Sequence, residues 1–397
     1  MRAIWTWGLA LCVAVLPFTL GRADSLQEIR IGLLRLPNTT ETISILDTPA
    51  ADDGLAGGKL AVNDNNTTGK FMNQHFTLDD VKLTAADDPV AAAQRLVEGG
   101  ATLIITALPA KPLLAVADAL RGRDVTLFNA SAPDEDLRED RCRADVIHIA
   151  PSRTMLADAL AEYLVWKRWT RWFLMVGSHP EDRALGDAYR RAARKFGAKI
   201  VEDRTFEDTG GGRRSDSGSV QTQAQIPVAT QSVPSYDVLV AADESEVFAN
   251  DLPYRTWDAR PVVGSAGLVP TSWDPSQEQW GAAQIESRFQ RLNNRRMSTL
   301  DMNVWTAVRM VGEAATRTKS TDPRSLHAFL VGPDMSVAAF KGQKLTLRDW
   351  NQQLRQPILL SDGHTVVSVS PQNGFLHQTS TLDTLGLDRP ETKCKLQ

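Results

Sequence analysis

The strand and helix pattern of this chain begins twice, and a restart behind a complete α/β unit constrains the fold more than any composition figure does. The first unit runs through residues 29–149. IRIGLL at 29–34 reads as a buried strand, and Asp52 is placed to cap the helical stretch DGLAGGKLAVNDNN that follows. FTLDDVKLTAADD comes next, then the helix PVAAAQRLVEGG behind the capping pair Asp87 and Asp88, the strand TLIITA, the helix KPLLAVADALRGR and the strand VTLFNAS. At Pro151, Ser152 and Arg153 a new helix opens; WFLMV at 172–176 is a strand, and the helix DAYRRAARKF at 187–196 stops at Gly197 before the strand AKIV. Such alternation builds a parallel, doubly wound sheet whose ligand edge is formed by the loops after the strands. Two such units predict two lobes with a cleft between them.

The second unit continues through VLVAAD to VVGSAG at 262–267. Its low-complexity stretch DTGGGRRSDSGS at 208–219 reads as a mobile loop, and GGGRRS lacks the spacing and the Lys-Ser/Thr ending of a phosphate cradle. After the Pro- and Trp-rich LVPTSWDP come two helical stretches, EQWGAAQIESRFQRL and DMNVWTAVRMVGEAATR; in the latter Val304, Val308, Val311 and Ala315 recur on one face. LRQPILL and HTVVSVS return to strand patterning. The chain is therefore expected to cross between lobes near 149, 270 and 352. That divides it into a first lobe of 24–149 plus 271–351, a second of 150–270 plus 352–385, and a tail of 386–397.

At 397 residues and 42% hydrophobic content, the chain exceeds one ordinary core and suits two. MRAIWTWGLALCVAVLPFTLGRA, with one early positive charge, an apolar stretch at 4–20 and small residues at Gly21 and Ala23, reads as a signal peptide cut after Ala23. A membrane anchor is the competing reading, against which Pro17 and Gly21 interrupt a stretch shorter than the roughly 20 residues a span needs. An exported, soluble protein is expected. A formal charge of -4 offers no basic field, which sets nucleic acid aside.

Of the three cysteines, Cys142 and Cys394 remain once the leader is gone. An even pair in an oxidising compartment reads as a disulfide ahead of two free thiols. The six histidines, at 75, 148, 179, 327, 364 and 377, are scattered, so no metal site is expected. No G-x-S-x-G elbow, no H-E-x-x-H and no supported Cys and His pair occurs, and GSAG at 264–267 reads as a turn. Binding without catalysis is the expectation.

GLAGGKLAVNDNNTTGKF, HIAPSRTMLADALAEYLVWKRW, RPVVGSAGLVPTSWDPSQEQWGA, LRQPILL and GFLHQTSTLDTLGLDRPETKC, together with the order of elements, resemble periplasmic substrate-binding proteins of the leucine/isoleucine/valine-binding type. More narrowly, these strings resemble the subgroup associated with alcohol dehydrogenase systems that depend on pyrroloquinoline quinone (PQQ). The resemblance implies a type I periplasmic binding protein fold of the Venus flytrap kind, two lobes joined by a three-stranded hinge. It also implies a monomer that presents its ligand to an ABC permease in the inner membrane. PQQ, as transported ligand and not as cofactor, is the implied cargo; an alcohol-derived organic acid or an amino acid is the alternative, and a periplasmic sensor is the alternative role.

PQQ is a flat o-quinone with three carboxylates, so a site for it needs cationic side chains, N–H groups at helix starts and an aromatic face. The strand pattern nominates Arg35 and Asn38 after the first strand, Leu108, Pro109 and Lys111 after TLIITA, and Asn129, Ala130 and Ser131 after VTLFNAS. In the family the loops matching these last two hold a carboxylate with hydroxyls and backbone amides. Here ALPAKP replaces the hydroxyl run, a departure that points to a bulkier anion met by Lys111. The second lobe nominates Ser152 and Arg153, His179, Asp243, Ser265 and, in a Pro-flanked loop, Trp273 as a stacking face. Trp166, Trp169, Trp172 and Trp305 read as packing residues.

Overall fold

The computed structural model describes residues 26–37, 48–208 and 216–396, with backbone alone for 216–220. The leader, Asn38 and most of the low-complexity stretch lie outside these residues. Where the described chain resumes, Asp216 already belongs to a helix rather than to a loop.

The first unit supplies β1 (Gln27–Arg35), α1 (Leu55–Met72), β2 (Gln74–Lys82), α2 (Pro89–Glu98), β3 (Leu103–Ala107), α3 (Ala110–Leu120), β4 (Thr126–Asn129) and β5 (Val146–His148). Its sheet has the order β2-β1-β3-β4-β5 with every pairing parallel. Such strands are covered on both faces, which is why LIITA of β3 is buried at every position. Asp88 caps α2 through the Val90 N–H, with Pro89 in the first turn.

The second unit supplies α4 (Arg153–Trp166), β6 (Arg171–Gly177), α5 (Pro180–Phe196), β7 (Lys199–Phe206), α6 (Asp216–Thr230), β8 (Val238–Ala242), α7 (Leu252–Arg255) and β9 (Val262–Gly264). The order is β7-β6-β8-β9, again all parallel. Ser152 caps α4, and Gly197 ends α5 at φ 76°, a conformation a side chain would resist. Trp172 is fully buried in this core, and Trp166 is exposed.

The chain returns through β10 (Val269–Thr271) to α8 (Ala282–Asn293), α9 (Thr299–Thr318) and α10 (Pro323–Leu330), then β11 (Val337–Ala338), β12 (Lys344–Leu347), β13 (Leu354–Arg355), β14 (Ile358–Ser361) and β15 (Val366–Ser370). Helices α8, α9 and α10 cover the first sheet on the face of α1; Val304, Val308, Val311, Ala315 and Trp305 share a core with Ile31, Leu60 and Phe128. The α1 and α9 backbones nearly touch, since a Cβ on Gly57 would lie 2.0 Å from the Asp301 carbonyl oxygen. Asp52 does not cap α1. The cap comes from across the lobe: Asp301, fully buried, accepts from the Gly54 and Gly57 N–H groups at 2.9 and 3.1 Å, while Asp52 pairs with Arg295.

Strands β10, β14 and β15 form an antiparallel sheet beside the second core, into which Leu360 inserts. The first and third passages between sheets are held together by side chains. Gln353 donates to the carbonyls of His148 and Ala150, Gln356 to that of Ile149, and Arg138 bonds both Gln353 and the Ala150 carbonyl. The C-terminal segment then runs along α4 and α5. Asp158 accepts from the Gly386 N–H and from Lys195, Lys195 also reaches the Thr384 carbonyl, and Arg191 pairs with Glu391. Its end returns to the first unit, where Glu139 accepts from Lys393 N–H and the Thr392 hydroxyl and a disulfide joins Cys142 to Cys394.

Candidate functional site

The C-terminal ends of β1, β3 and β4 face the ends of β6, β8 and β9 in the sense that parallel α/β sheets use for ligands. In the first lobe the strongest cation at this edge is already engaged. Arg35 ends β1, and its Nε and Nη2 each lie 2.7 Å from the Asp80 carboxylate while Nη1 donates to the Asp53 carbonyl at 3.0 Å. It is 5% exposed. A bidentate fork of this kind fixes β2 and the entry to α1, so Arg35 is a structural clasp and not the open ligand cation expected of it.

Asn129 is likewise corrected. Its amide is fully buried, donates to the Ala132 carbonyl at 2.8 Å and accepts from the Ala132 and Ser131 N–H groups. Every group it has is turned onto the chain, which shapes the turn that displays Ser131. Ser131 is exposed, and its hydroxyl donates to the Leu108 carbonyl at 3.1 Å, joining the two loops of the edge. Lys111 stands exposed in the first turn of α3 and makes no ion pair among the described residues. Pro109, at the cap of α3, has no side-chain group for the first N–H donors, so they remain open to an acceptor.

The second lobe finishes its edge with carboxylates. Arg153, in the first turn of α4, donates from Nε and Nη2 to Glu244 at 2.6 and 2.7 Å, and its Nη1 lies 3.0 Å from Asp134 of the first unit. Burial works against its charge, but the two carboxylates outweigh burial and hold the guanidinium more firmly protonated than a free arginine. Arg153 therefore belongs to an inter-lobe ion cluster rather than offering a free fork. Burial pushes the Glu244 carboxyl upward even so. Glu135 adds a second contact across the passage by accepting the Thr154 N–H at 2.7 Å.

His179 precedes α5, half-buried, with Nε2 2.8 Å from Asp208. Its main-chain N–H donates to Asp182, a fully buried carboxylate that also accepts from the Ser245 N–H at 2.8 Å and hydroxyl at 2.7 Å, tying the β6 loop to the β8 loop. Asp243 accepts from the N–H groups of Val247, Phe248 and Ala249; burial raises its carboxyl and these three bonds oppose the rise. The Asp243 N–H in turn donates to Ser265 Oγ at 2.9 Å, so Ser265 braces the β8 and β9 loops.

Trp273 overturns the stacking expectation. It is 1% exposed and packs in the first core with Met297, Met302 and Phe289, because the chain has by then re-entered the first lobe and the indole closes the end of that core. The sequence reading missed Glu244, Asp134 and Asp182. Glu244 had a signal in the string ADES directly after an apolar strand, while Asp134 and Asp182 stand one and two residues after a proline that follows a strand-end loop, in SAPDED and SHPED. Among the described residues no cluster of His, Cys, Asp or Glu is arranged to hold a metal, and no helix is long and apolar enough to cross a membrane.

A sequence model described as periplasmic binding protein matches residues 43–225. No curated protein matches the chain. Solved structures share its architecture at low identity. A periplasmic binding protein from Burkholderia mallei is 18% identical, with 94% of this chain and 99% of that one covered at a TM-score of 0.67. The leucine-, isoleucine-, valine-, threonine- and alanine-binding protein of Brucella ovis, in a closed conformation, is 14% identical over 84% and 89% at 0.65. An ABC transporter solute binding protein from R. palustris in complex with benzoate is 13% identical over 94% and 100% at 0.64. The chain has the type I periplasmic binding protein fold.

Proposed function

We propose that this protein is the periplasmic solute-binding component of an ABC transporter, closing its lobes over a small carboxylate-bearing ligand and presenting the closed form to a permease without chemical turnover. The observation that carries the reading is the meeting of two all-parallel sheets at their C-terminal edges, joined by strand passages and carrying side chains that span them, Arg153 with Asp134 and Gln353 with Ala150. Ligand contacts to both edges favour the closed form by the difference in affinity between closed and open states. Converting a 1:99 equilibrium into 99:1 takes about 5.5 kcal/mol of that difference.

PQQ is the first cargo to test, on the strength of the resemblance to the PQQ-associated subgroup. Among the candidates of the first-lobe edge, Lys111, Ser131 and the open N–H donors of α3 are the groups for its carboxylates, because Arg35 and Arg153 are occupied. His179 is the second-lobe candidate, since the Ser265 hydroxyl is spent on the Asp243 N–H. An organic acid is the second reading, favoured by the same shortage of free cations: one carboxylate matches one free ammonium better than three do. An amino acid is a further reading: Glu244 is exposed and keeps acceptor sites beyond its two bonds to Arg153, which an α-ammonium matches.

A thermal-shift screen of the mature protein against PQQ, benzoate, short organic acids, leucine and alcohols tests the assignment, because a ligand of the native state raises apparent stability. A saturable shift with PQQ supports the cargo. A shift with benzoate or an aliphatic acid and none with PQQ reassigns it, and turnover of any of these compounds refutes the binding role.

A further inference from the structure

Away from the strand-end cleft, on the flank of the hinge, two adjoining recesses of about 490 and 390 Å³ share Pro275 and Arg296 in their walls. The walls come from two cores. One side is the segment 273–279 with the starts of α8 and α9; the other is the β14–β15 hairpin, Ser361 to Val366, attached to the second core through Leu360. Two buried donors lie here without an acceptor in the protein, Trp273 Nε1 and Gln277 Nε2, on side chains 1% and 3% exposed. Buried N–H groups are ordinarily paired, and an orphan costs free energy until something accepts from it.

The charges around them are unevenly committed. Asp274 is turned onto the Ser276 N–H and hydroxyl, and Glu286 accepts the Met297 N–H. Arg296 is exposed, lines both recesses and makes no close ion pair among the described residues; its charge opposes the rise that burial gives the Glu286 carboxyl, and the exposed Glu278 shares that wall. A guanidinium common to both recesses, with one neutral N–H donor in the wall of each, is a donor set that a carboxylate matches, with its two oxygens and no proton of its own. We propose that this recess is a second binding site, for a small carboxylate, formed by Arg296, Trp273 and Gln277. Because its walls belong to the two lobes, an occupant sensitive to their spacing biases the lobe angle from outside the main cleft.

The experiment uses full mature protein with ¹⁵N-labelled tryptophan, titrated with acetate, succinate and glycine. Trp273→Phe assigns the Trp273 indole N–H peak by its loss. Acetate or succinate is expected to move that peak saturably, and Arg296→Gln to weaken the response about tenfold, the scale of one charge-assisted contact. Gln277→Leu should weaken it less. Glycine binding as tightly as acetate assigns Glu278 a place for the ammonium, while weaker glycine binding restricts the site to simple anions. Should Trp273→Phe fail to fold, the peak is assigned as the indole whose response weakens most in Arg296→Gln and less in Gln277→Leu. An unmoved set of indole peaks, or a response equal in Arg296→Gln and the parent, overturns the proposal. The signal is local to Trp273, so the outcome is independent of what the main cleft holds.

Discussion

The two lobes finish the same kind of sheet edge with opposite chemistry. In the first, Arg35 and Asn129 turn donors onto carbonyls and a carboxylate, so that Ser131, Lys111 and the open start of α3 are what faces outward. In the second, Asp182, Asp243 and Glu244 turn acceptors onto N–H groups and onto Arg153. The second edge is acidic by count, yet Asp182 and Asp243 are directed inward and the exposed Glu244 is engaged by Arg153. Charge type alone therefore misjudges a cleft: a side chain at a strand end is first drawn to the unpaired backbone groups beside it, and only the remainder is available to a ligand.

The sharpest break of this comparison is to remove the inward-facing acid of each lobe. Asp301→Ala leaves the Gly54 and Gly57 N–H groups and Arg295 without their buried partner and should cost about 3–5 kcal/mol. Asp182→Ala orphans only neutral donors of Ser245 and His179, for about 1–3 kcal/mol. Urea unfolding measures both. Equal losses would mean that the first lobe's charged network adds nothing over the second lobe's neutral one.

The disulfide comes next, because the C-terminal segment is held to one lobe by ion pairs and to the other by Cys142–Cys394, 252 residues apart. Cys394→Ser is expected to lower stability by about 2–5 kcal/mol. Release of the tail from α4 and α5 in hydrogen exchange would show that the bridge holds the segment in place; full retained protection would assign that role to Asp158, Lys195 and Arg191 alone.

How far these features were legible depended on whether periodicity or partnership decided them. Strand and helix order followed from apolar spacing, and local caps such as Asp88, Ser152 and Gly197 were readable because donor and acceptor lie within four residues. Asp52 failed as a cap because a residue 247 positions beyond Gly54 filled the role better. Arg35, Arg153 and Trp273 failed for the same reason: Asp80, Glu244 and the Met297–Phe289 core are distant in sequence, and no local pattern announces them. Lys111 remains open at the edge because no acid among the described residues claims it, and Ser131 remains exposed although its hydroxyl is bonded to the Leu108 carbonyl.

A smaller effect tests the boundary between the lobes. Lys341 is fully buried beside the Gln356 side chain, and burial pulls its ammonium down to about 7 from the ordinary 10.5. The folded state thus releases a proton that the unfolded chain keeps between pH 7 and 10.5, so stability rises with pH across that window and the penalty is complete below it. Lys341→Met should stabilise by about 2 kcal/mol at pH 6 and by little near pH 10. Melting temperatures at the two pH values decide it; a gain that does not shrink with pH would assign the effect to packing.

The smallest effects divide the two edges most finely. Ser131→Ala removes an exposed hydroxyl whose one bond, to the Leu108 carbonyl, is only partly buried, so unliganded stability should stay within about 0.5 kcal/mol while affinity for the ligand found in the screen falls by about 0.5–1.5 kcal/mol. Ser265→Ala should do the reverse, because it strips the acceptor from the Asp243 N–H and loosens the loops of β8 and β9, lowering unliganded stability by about 1 kcal/mol. Calorimetric titration beside thermal unfolding separates the two readouts. The reverse outcome, affinity lost only in Ser265→Ala and stability only in Ser131→Ala, would place ligand recognition on the second lobe and leave the first as the brace.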